Sequence, residues 1–303
     1  MTLRELPNRL QAEKSKTPTA ALLRASGASE HFDSKCGLDD RSPLLFNRCV
    51  ILKRRPPTFH AFQLAACLGL LTSAPSPAAP PTDAGPRYET RAEHDPNGIG
   101  KFYMGREIAH VMGHQAAGWL ERPDRETEER TDLLVEAMQL KTKEVVADIG
   151  AGSGYFCWRM AKLVGTEGRI LAVDIQQEML DLLQRNMAKR QITNVESVLG
   201  ATDDPKLPPA SVDTILMVDV YHEFDQPYEM LRAMHKALKP GGRIVLVEFR
   251  AEDPAVNIKR VHKMSQEQAK KEFTAIDGLN WERTIDVLPQ QHILIFRKKS
   301  ASK

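Results

Sequence analysis

The sequence contains little cysteine and carries little net charge. Only four cysteines occur among 303 residues, and no two of them are spaced as C-x-x-C. This usage argues against a structural zinc site or a disulfide framework. The formal net charge is only +2, so no strong basic field indicates nucleic-acid binding. A chain of this length holds one large domain or two small ones, and no internal repeat is evident.

The N-terminal third lacks the periodicity of a folded core. Residues 1–52 are predicted to be disordered, or to be an extension that results from a mis-assigned start codon. Residues 53–79 combine basic residues, a short apolar run and a small-residue exit rich in proline, which is typical of a secretory signal. Three interpretations of this segment stay open: cleavage near residues 74–79, lipid attachment at Cys67, or an uncleaved tail. Membrane contact is expected only through residues 59–74, which are too short for a confident span.

Localisation depends on that segment. An active signal predicts an exported, periplasmic or membrane-attached protein, and an inactive one predicts a cytoplasmic protein. Residues 80–98 are rich in proline and are interpreted as a linker.

Residues 99–140 are predicted to form helices that cover a pocket. Ile108, Met112, Ala116 and Trp119 recur at helical spacing. A second helix is predicted to begin at the charged residues 124–129, with acids in its first turn. An apolar stripe then runs to residue 140.

A histidine pair lies in the first of these predicted helices. His110 and His114 are four residues apart, a spacing that can bind metal. No third ligand is obvious, so solvent exposure or pocket lining is favoured and no metal is expected.

The most informative stretch is residues 145–156, V-V-A-D-I-G-A-G-S-G-Y-F. An apolar strand leads through the glycine loop, Gly150–Gly154, into a helical pattern. Glycines allow a tight turn and a close approach of backbone to ligand, and the helix start offers free N–H groups. The spacing G-x-G-x-G differs from the dinucleotide pattern G-x-G-x-x-G, and no Lys-Ser/Thr pair follows as in a P-loop.

Strands and helices alternate regularly after this loop. Apolar runs such as R-I-L-A-V and R-I-V-L-V fit parallel strands that are buried on both faces. The predicted strands cover residues 144–149, 169–174, 195–199, 214–220 and 243–249. Helices are predicted at 177–190, 227–238 and 265–273, and two closing strands at 281–287 and 292–297.

The glycine loop and its acid, Asp148, resemble motif I of the class I S-adenosylmethionine-dependent methyltransferases, acid-x-G-x-G-x-G. The closing strands resemble the antiparallel pair that ends their sheet, and the likeness covers about residues 100–298. The resemblance implies an α/β fold over residues 141–299: a Rossmann-like, doubly wound, mostly parallel seven-stranded sheet with an antiparallel C-terminal strand and helices on both faces. It also implies S-adenosyl-L-methionine as cofactor and S-adenosyl-L-homocysteine as product.

Ligands of parallel sheets bind beyond the carboxyl ends of the strands. Asp174 ends the second strand twenty residues after Gly154, where a carboxylate can hold both ribose hydroxyls. The resemblance places the adenine near Ala201 and Asp203 or Asp204. The cofactor-binding residues are predicted to be Asp148, Gly150, Ala151, Gly152, Ser153, Gly154, Tyr155, Asp174, Ile175, Ala201, Asp203, Asp219 and Val220.

The resemblance places the substrate-facing residues after the fourth strand, at Tyr221, His222 and Glu223. A general base is required only if the acceptor begins protonated. His222 is a candidate for that base, and a role in shaping the pocket is the alternative.

The resemblance implies a small-molecule acceptor, because the Asn-Pro-Pro-Tyr or Asp-Pro-Pro-Tyr motif, typical of relatives that methylate nitrogens in nucleic acids and proteins, does not follow the fourth strand. The nearly neutral charge agrees with this expectation. A protein or RNA methyltransferase and a non-catalytic cofactor-binding module are the alternatives. The oligomeric state is not indicated by the sequence.

Overall fold

The structure is a computed structural model that describes residues 87–300. The predictions for residues 1–52 and 53–79, and for membrane contact through 59–74, lie outside the described residues and stay predictions. Among the helices of residues 87–300, none has the length and apolar character needed to cross a membrane.

Ten strands and six α-helices occur within residues 87–300. The strands are β1 (Tyr88–Thr90), β2 (Gly98–Tyr103), β3 (Arg106–Ala109), β4 (Val145–Ile149), β5 (Arg169–Asp174), β6 (Val195–Leu199), β7 (Val212–Val218), β8 (Leu238–Phe249), β9 (Leu279–Ile285) and β10 (Gln291–Lys298). The helices are α1 (Arg125–Glu129), α2 (Thr131–Ala137), α3 (Cys157–Val164), α4 (Gln177–Lys189), α5 (Pro227–Ala237) and α6 (Gln266–Thr274).

Seven of the strands form one sheet in the order β6-β5-β4-β7-β8-β10-β9. Strands β4 to β8 pair in parallel, and β10 pairs antiparallel with both β8 and β9. The predicted α/β fold, with its mostly parallel seven-stranded sheet and antiparallel C-terminal strand, is confirmed.

Helices cover both faces of this sheet because successive strand residues point to opposite sides. In β4, Val146 packs with Met160 of α3 on one face, in a core that also includes residues of α2 and α4. Ala147 belongs to the core on the other face, with Met230 of α5 and Phe273 of α6. Burial on both sides explains why the strands read as nearly unbroken apolar runs.

The predicted helix from residue 103 to 119 is wrong, because β2 and β3 form a hairpin there. Met104 and Gly105 connect the strands with φ of 50° and 97°, the left-handed conformation that a two-residue hairpin turn requires. The linker prediction for residues 80–98 is also wrong where the chain is described. Tyr88–Thr90 pairs with β2, and the Tyr88 and Tyr103 rings lie 5.5 Å apart.

The segment between this hairpin and the sheet is a series of short helical pieces. A 3-10 helix, His114–Glu121, precedes α1 and α2. Arg130 separates α1 from α2 because its φ of 52° is left-handed and interrupts the helix. The second helix predicted from residue 124 onward is therefore two helices.

Candidate functional site

A cavity of about 620 Å³ lies at the carboxyl ends of β4, β5, β7 and β8. Parts of residues 111–129, 175–179, 201–202, 219–230 and 257–262 also line it. The edge of the sheet where the parallel strands end is the usual ligand site of this architecture. The cavity is therefore the candidate functional site.

The glycine loop forms part of its wall. Gly150, Gly152 and Gly154 have φ of 72°, 51° and 82°, in the left-handed region that favours glycine. A Cβ atom on Gly150 would lie 2.4 Å from Val220 Cγ2, and one on Gly152 would lie 2.5 Å from Leu120 Cδ1. These two positions therefore need glycine both for the turn and for space.

Asp174 meets this loop at the end of β5. Its Oδ2 accepts a hydrogen bond from Gly152 N at 3.0 Å, and its Oδ1 accepts one from Gln176 N at 2.9 Å. Burial raises the pKa of the Asp174 carboxyl, although these backbone donors act in the opposite direction. The carboxylate lies beside the triple-glycine turn, as the spacing in the sequence predicts.

Asp219 lies just beyond β7 with a left-handed φ of 50°. Its Oδ2 accepts a hydrogen bond from Gln291 Nε2 at 2.7 Å, whereas its buried Oδ1 has no partner among the described residues. Burial raises the pKa of Asp219 well above its ordinary value, and the nearby carboxylates of Glu129 and Glu248 act in the same direction. A ligand with an ammonium or hydroxyl group would satisfy the free oxygen.

Two imidazoles and two carboxylates converge at a second part of the cavity. His222 Nδ1 lies 2.6 Å from Glu248 Oε2, and His222 Nε2 lies 3.1 Å from His262 Nδ1. Glu223 Oε1 lies 3.9 Å from each of those two facing nitrogens. Glu248 also accepts a hydrogen bond from Tyr221 N at 3.0 Å and one from His222 N at 3.3 Å. Such a group can move a proton or hold a cation.

Burial and neighbouring charges set the pKa values in this group. Burial would lower the pKa of His222, but the Glu248 carboxylate outweighs it and the pKa is raised. Burial, with the charge of His222, lowers the pKa of His262 to about 4. Burial raises the pKa of Glu223 to about 7.

Comparison with known proteins identifies this arrangement. A family model described as a methyltransferase domain matches residues 140–292, about half of the 303-residue chain. The chain belongs to the class I S-adenosylmethionine-dependent methyltransferases. Its cofactor is S-adenosylmethionine.

Individual relatives are similar to parts of this methyltransferase. The arsenite methyltransferase of Halobacterium salinarum is 30% identical over 103 residues, which are 34% of this chain and 26% of that protein. The ubiquinone/menaquinone biosynthesis C-methyltransferase UbiE of Coxiella burnetii is 27% identical over 119 residues, 39% of this chain and 48% of that protein. The chain therefore spans less than half the length of these curated relatives.

A solved structure shows the same fold. The crystal structure of a SAM-dependent methyltransferase from Aquifex aeolicus superposes with a TM-score of 0.59 at 21% identity. The match covers 62% of this chain and the whole of that one.

The structure brings most of the predicted site residues of the methyltransferase to the cavity. Those that line it are Gly150, Gly152, Asp174, Ile175, Ala201, Asp219, Val220, His222 and Glu223. Those that do not line it are Asp148, Ala151, Ser153, Gly154, Tyr155, Asp203 and Tyr221.

Several residues of motif I contact the surrounding protein rather than the cavity. Asp148 is buried and accepts a hydrogen bond from Cys157 Sγ at 3.1 Å, and burial raises its pKa to about 6. Gly154 packs so closely on α4 that a Cβ atom there would lie 2.8 Å from Leu183 Cγ. The Tyr155 hydroxyl donates to Glu126 at 3.0 Å. The Asp148 and Tyr155 side chains therefore do not line the cavity, and their contact with the cofactor stays a prediction.

The remaining predicted residues lie elsewhere. Ser153 Oγ donates to Glu121 Oε1 at 2.6 Å, and Asp203 is exposed. His110 is exposed and His114 lies 3.9 Å from Glu178, so the two histidines do not form a site together.

Tyr221 is in the core rather than in the cavity. It is fully buried, and its hydroxyl donates to Glu272 Oε2 at 2.7 Å. Glu272 also binds Arg106 of the hairpin, whose Nε lies 2.8 Å from Glu272 Oε1. The prediction that Tyr221 faces the substrate is wrong, because the 3-10 turn at residues 221–223 directs its ring inward onto Phe273.

Sequence reasoning missed four residues that the cavity or its support uses. Glu248 was detectable as an acid at the end of an apolar strand, R-I-V-L-V-E-F. His262 lies in an irregular segment without a spacing signal. Arg125 and Glu129 line the cavity and bind each other at 3.0 Å, and their helix was predicted without a site.

Proposed function

We propose that the methyltransferase transfers the methyl group of S-adenosylmethionine to a small-molecule acceptor held in the same cavity. The observation that carries this proposal is that one space of about 620 Å³ joins the glycine loop and Asp174 to the histidine group. That volume falls within the range of about 300–1,000 Å³ typical of small-molecule sites.

The residues on one side suit the cofactor. Asp174 would accept hydrogen bonds from the ribose hydroxyls, with Ile175 and Ala201 beside the adenine. The Asp219 Oδ1 atom, buried without a partner among the described residues, would accept from the methionyl ammonium group. Gly150 and Gly152 would present backbone to the cofactor, and side chains at these positions would collide with Val220 and Leu120.

The cofactor supplies a methyl group made electrophilic by its sulfonium. An oxygen, nitrogen or carbon nucleophile of the acceptor forms the new bond in line as the carbon–sulfur bond breaks, and the electron pair stays on sulfur. The protein's task is to align the acceptor and exclude water. Met112, Trp119 and Leu120 line the cavity from the segment above the sheet and would provide that shielding.

The relatives support a small acceptor. Two of them are named as an arsenite methyltransferase and as a ubiquinone/menaquinone biosynthesis C-methyltransferase. These names describe those proteins, and they indicate the size of acceptor to test first on this chain.

The test is calorimetry with S-adenosylmethionine, followed by transfer of a labelled methyl group into fractions of a lysate. Binding with label in the small-molecule fraction supports the proposal. Label in protein or RNA supports a macromolecular acceptor, and binding without transfer to any fraction supports a non-catalytic module. Tight binding of a nicotinamide cofactor instead would contradict the cofactor roles.

A further inference from the structure

The side chains of His222, Glu223 and His262 point their donor atoms at one another. One ligand atom from each lies within 4.8 Å of the others. The two facing nitrogens are 3.1 Å apart, and Glu223 Oε1 is 3.9 Å from both. An ion bound at about 2.0–2.2 Å from each ligand atom holds them about 3–4 Å apart. The three side chains therefore fit one ion without movement of a strand or helix.

A second observation orients the set. Glu248 is fully buried and lies 2.6 Å from His222 Nδ1, which keeps the proton on that nitrogen and leaves the Nε2 lone pair facing His262 and Glu223. A carboxylate that orients a ligating histidine in this way is a regular feature of metal sites. Glu223 is oriented as well, because both of its oxygens lie 3.2 Å from Met112 N.

We propose that His222, Glu223 and His262 bind one divalent transition-metal ion, such as zinc, and that the ion holds the methyl acceptor. Two imidazoles and one carboxylate suit zinc, iron or manganese, whereas magnesium and calcium prefer sites made of oxygen alone. All three residues line the cavity, so the ion has open positions on the side of the acceptor.

This inference rests on the proposed function and narrows its substrate class. An ion at this position selects an acceptor with an ionisable hydroxyl or thiol group, because coordination promotes loss of the acceptor's proton to water. The deprotonated oxygen or sulfur then attacks the methyl carbon as the carbon–sulfur bond of the cofactor breaks. Positive charge on the ion is balanced by Glu223 and by the ionised acceptor.

A hydrogen-bonded histidine pair is the competing explanation of the same contacts. A proton shared between His222 Nε2 and His262 Nδ1 also accounts for their 3.1 Å separation. The two explanations differ in one measurable property, because a hydrogen-bonded pair has no specific affinity for zinc.

The test titrates the full-length, tag-free protein with Zn²⁺ and with Co²⁺ after treatment with a chelator. We expect one ion per chain by calorimetry and visible absorption bands from the Co²⁺ complex. Glu248→Gln is expected to weaken Zn²⁺ binding about 10- to 100-fold by releasing His222. His262→Ala and Glu223→Gln each remove a ligand and are expected to weaken it further.

His114→Ala is the matched control, since it removes a histidine near a glutamate outside this set, and Zn²⁺ binding should not change. Binding of S-adenosylmethionine is measured on every variant. A wild-type protein that binds S-adenosylmethionine but no Zn²⁺ would overturn the metal site alone, as would Zn²⁺ binding that survives His262→Ala/Glu223→Gln. A folded wild-type protein that binds Zn²⁺ but no S-adenosylmethionine would count against the proposed function instead.

Discussion

The cofactor side and the acceptor side of the cavity are formed by different kinds of chemical groups. The cofactor side consists of the glycine loop with its backbone N–H groups and the carboxyl groups of Asp174 and Asp219. The acceptor side consists of buried ionisable side chains, among which His222 and Glu248 are almost completely removed from solvent. Because a buried charge is costly unless it is paired, the acceptor side depends on its internal contacts. We therefore expect changes on the acceptor side to lower the stability of the fold and changes on the cofactor side mainly to weaken cofactor binding.

The largest effect is expected from Glu248→Ala. This change leaves the buried His222 ring and two backbone N–H groups without their acceptor. Removing one partner of a buried ion pair typically destabilises a protein by about 3–5 kcal/mol. Urea denaturation measures the free energy of unfolding, with the exposed Glu267→Ala as control. A loss below about 1 kcal/mol would contradict this prediction, since the acceptor side would then tolerate an unpaired charge.

The next prediction concerns Asp148, a buried carboxyl group beneath the glycine loop. Its pKa is raised by burial to about 6, above the value of about 3.9 in an unfolded chain. The folded protein therefore binds more protons between pH 4 and 6, so this group's contribution to stability falls as pH rises through that window. Asp148→Asn removes the effect, because an amide does not titrate.

The unfolding free energy of Asp148→Asn relative to wild type should therefore increase by about 2 kcal/mol from pH 4 to pH 7. Denaturation curves of both proteins at both pH values measure this difference. The contributions of the other titrating groups cancel, because both proteins contain them. Parallel pH dependence of the two proteins would contradict the prediction. The expected increase would show that one poorly compensated charge also lies beneath the glycine loop on the cofactor side.

A binding effect of intermediate size is expected from Asp174→Ala. Loss of hydrogen bonds to a charged group costs about 1.5–3 kcal/mol, which corresponds to roughly a 10- to 150-fold weaker affinity for S-adenosylmethionine. Asp203→Ala is the matched control, because Asp203 is exposed and does not line the cavity. Calorimetry measures both. Equal affinities of the two variants would remove Asp174 from the cofactor site.

The two sides also differ in how far the sequence predicts them. Asp174 was predicted because a strand end and a glycine loop are local features of a parallel sheet. Glu248 and His262 meet His222 only because β8 lies beside β7 and because the chain after β8 returns to the cavity, and neither fact is local. The hairpin at 98–109 was missed because Met104 and Gly105 form its turn without the Asn-Gly or Asp-Gly signal.

The smallest effect is expected from Tyr221→Phe, which separates position in the sequence from position in the site. Tyr221 is adjacent to His222 in the chain, but its hydroxyl is bound to Glu272 within the core. The change removes one hydrogen bond and leaves Glu272 still paired with Arg106, so we expect a loss of stability of about 1 kcal/mol. Affinity for S-adenosylmethionine and the rate of methyl transfer should stay at the wild-type level. A rate of methyl transfer that falls tenfold or more while stability is unchanged would contradict this prediction. Tyr221 would then belong to the acceptor side of the cavity.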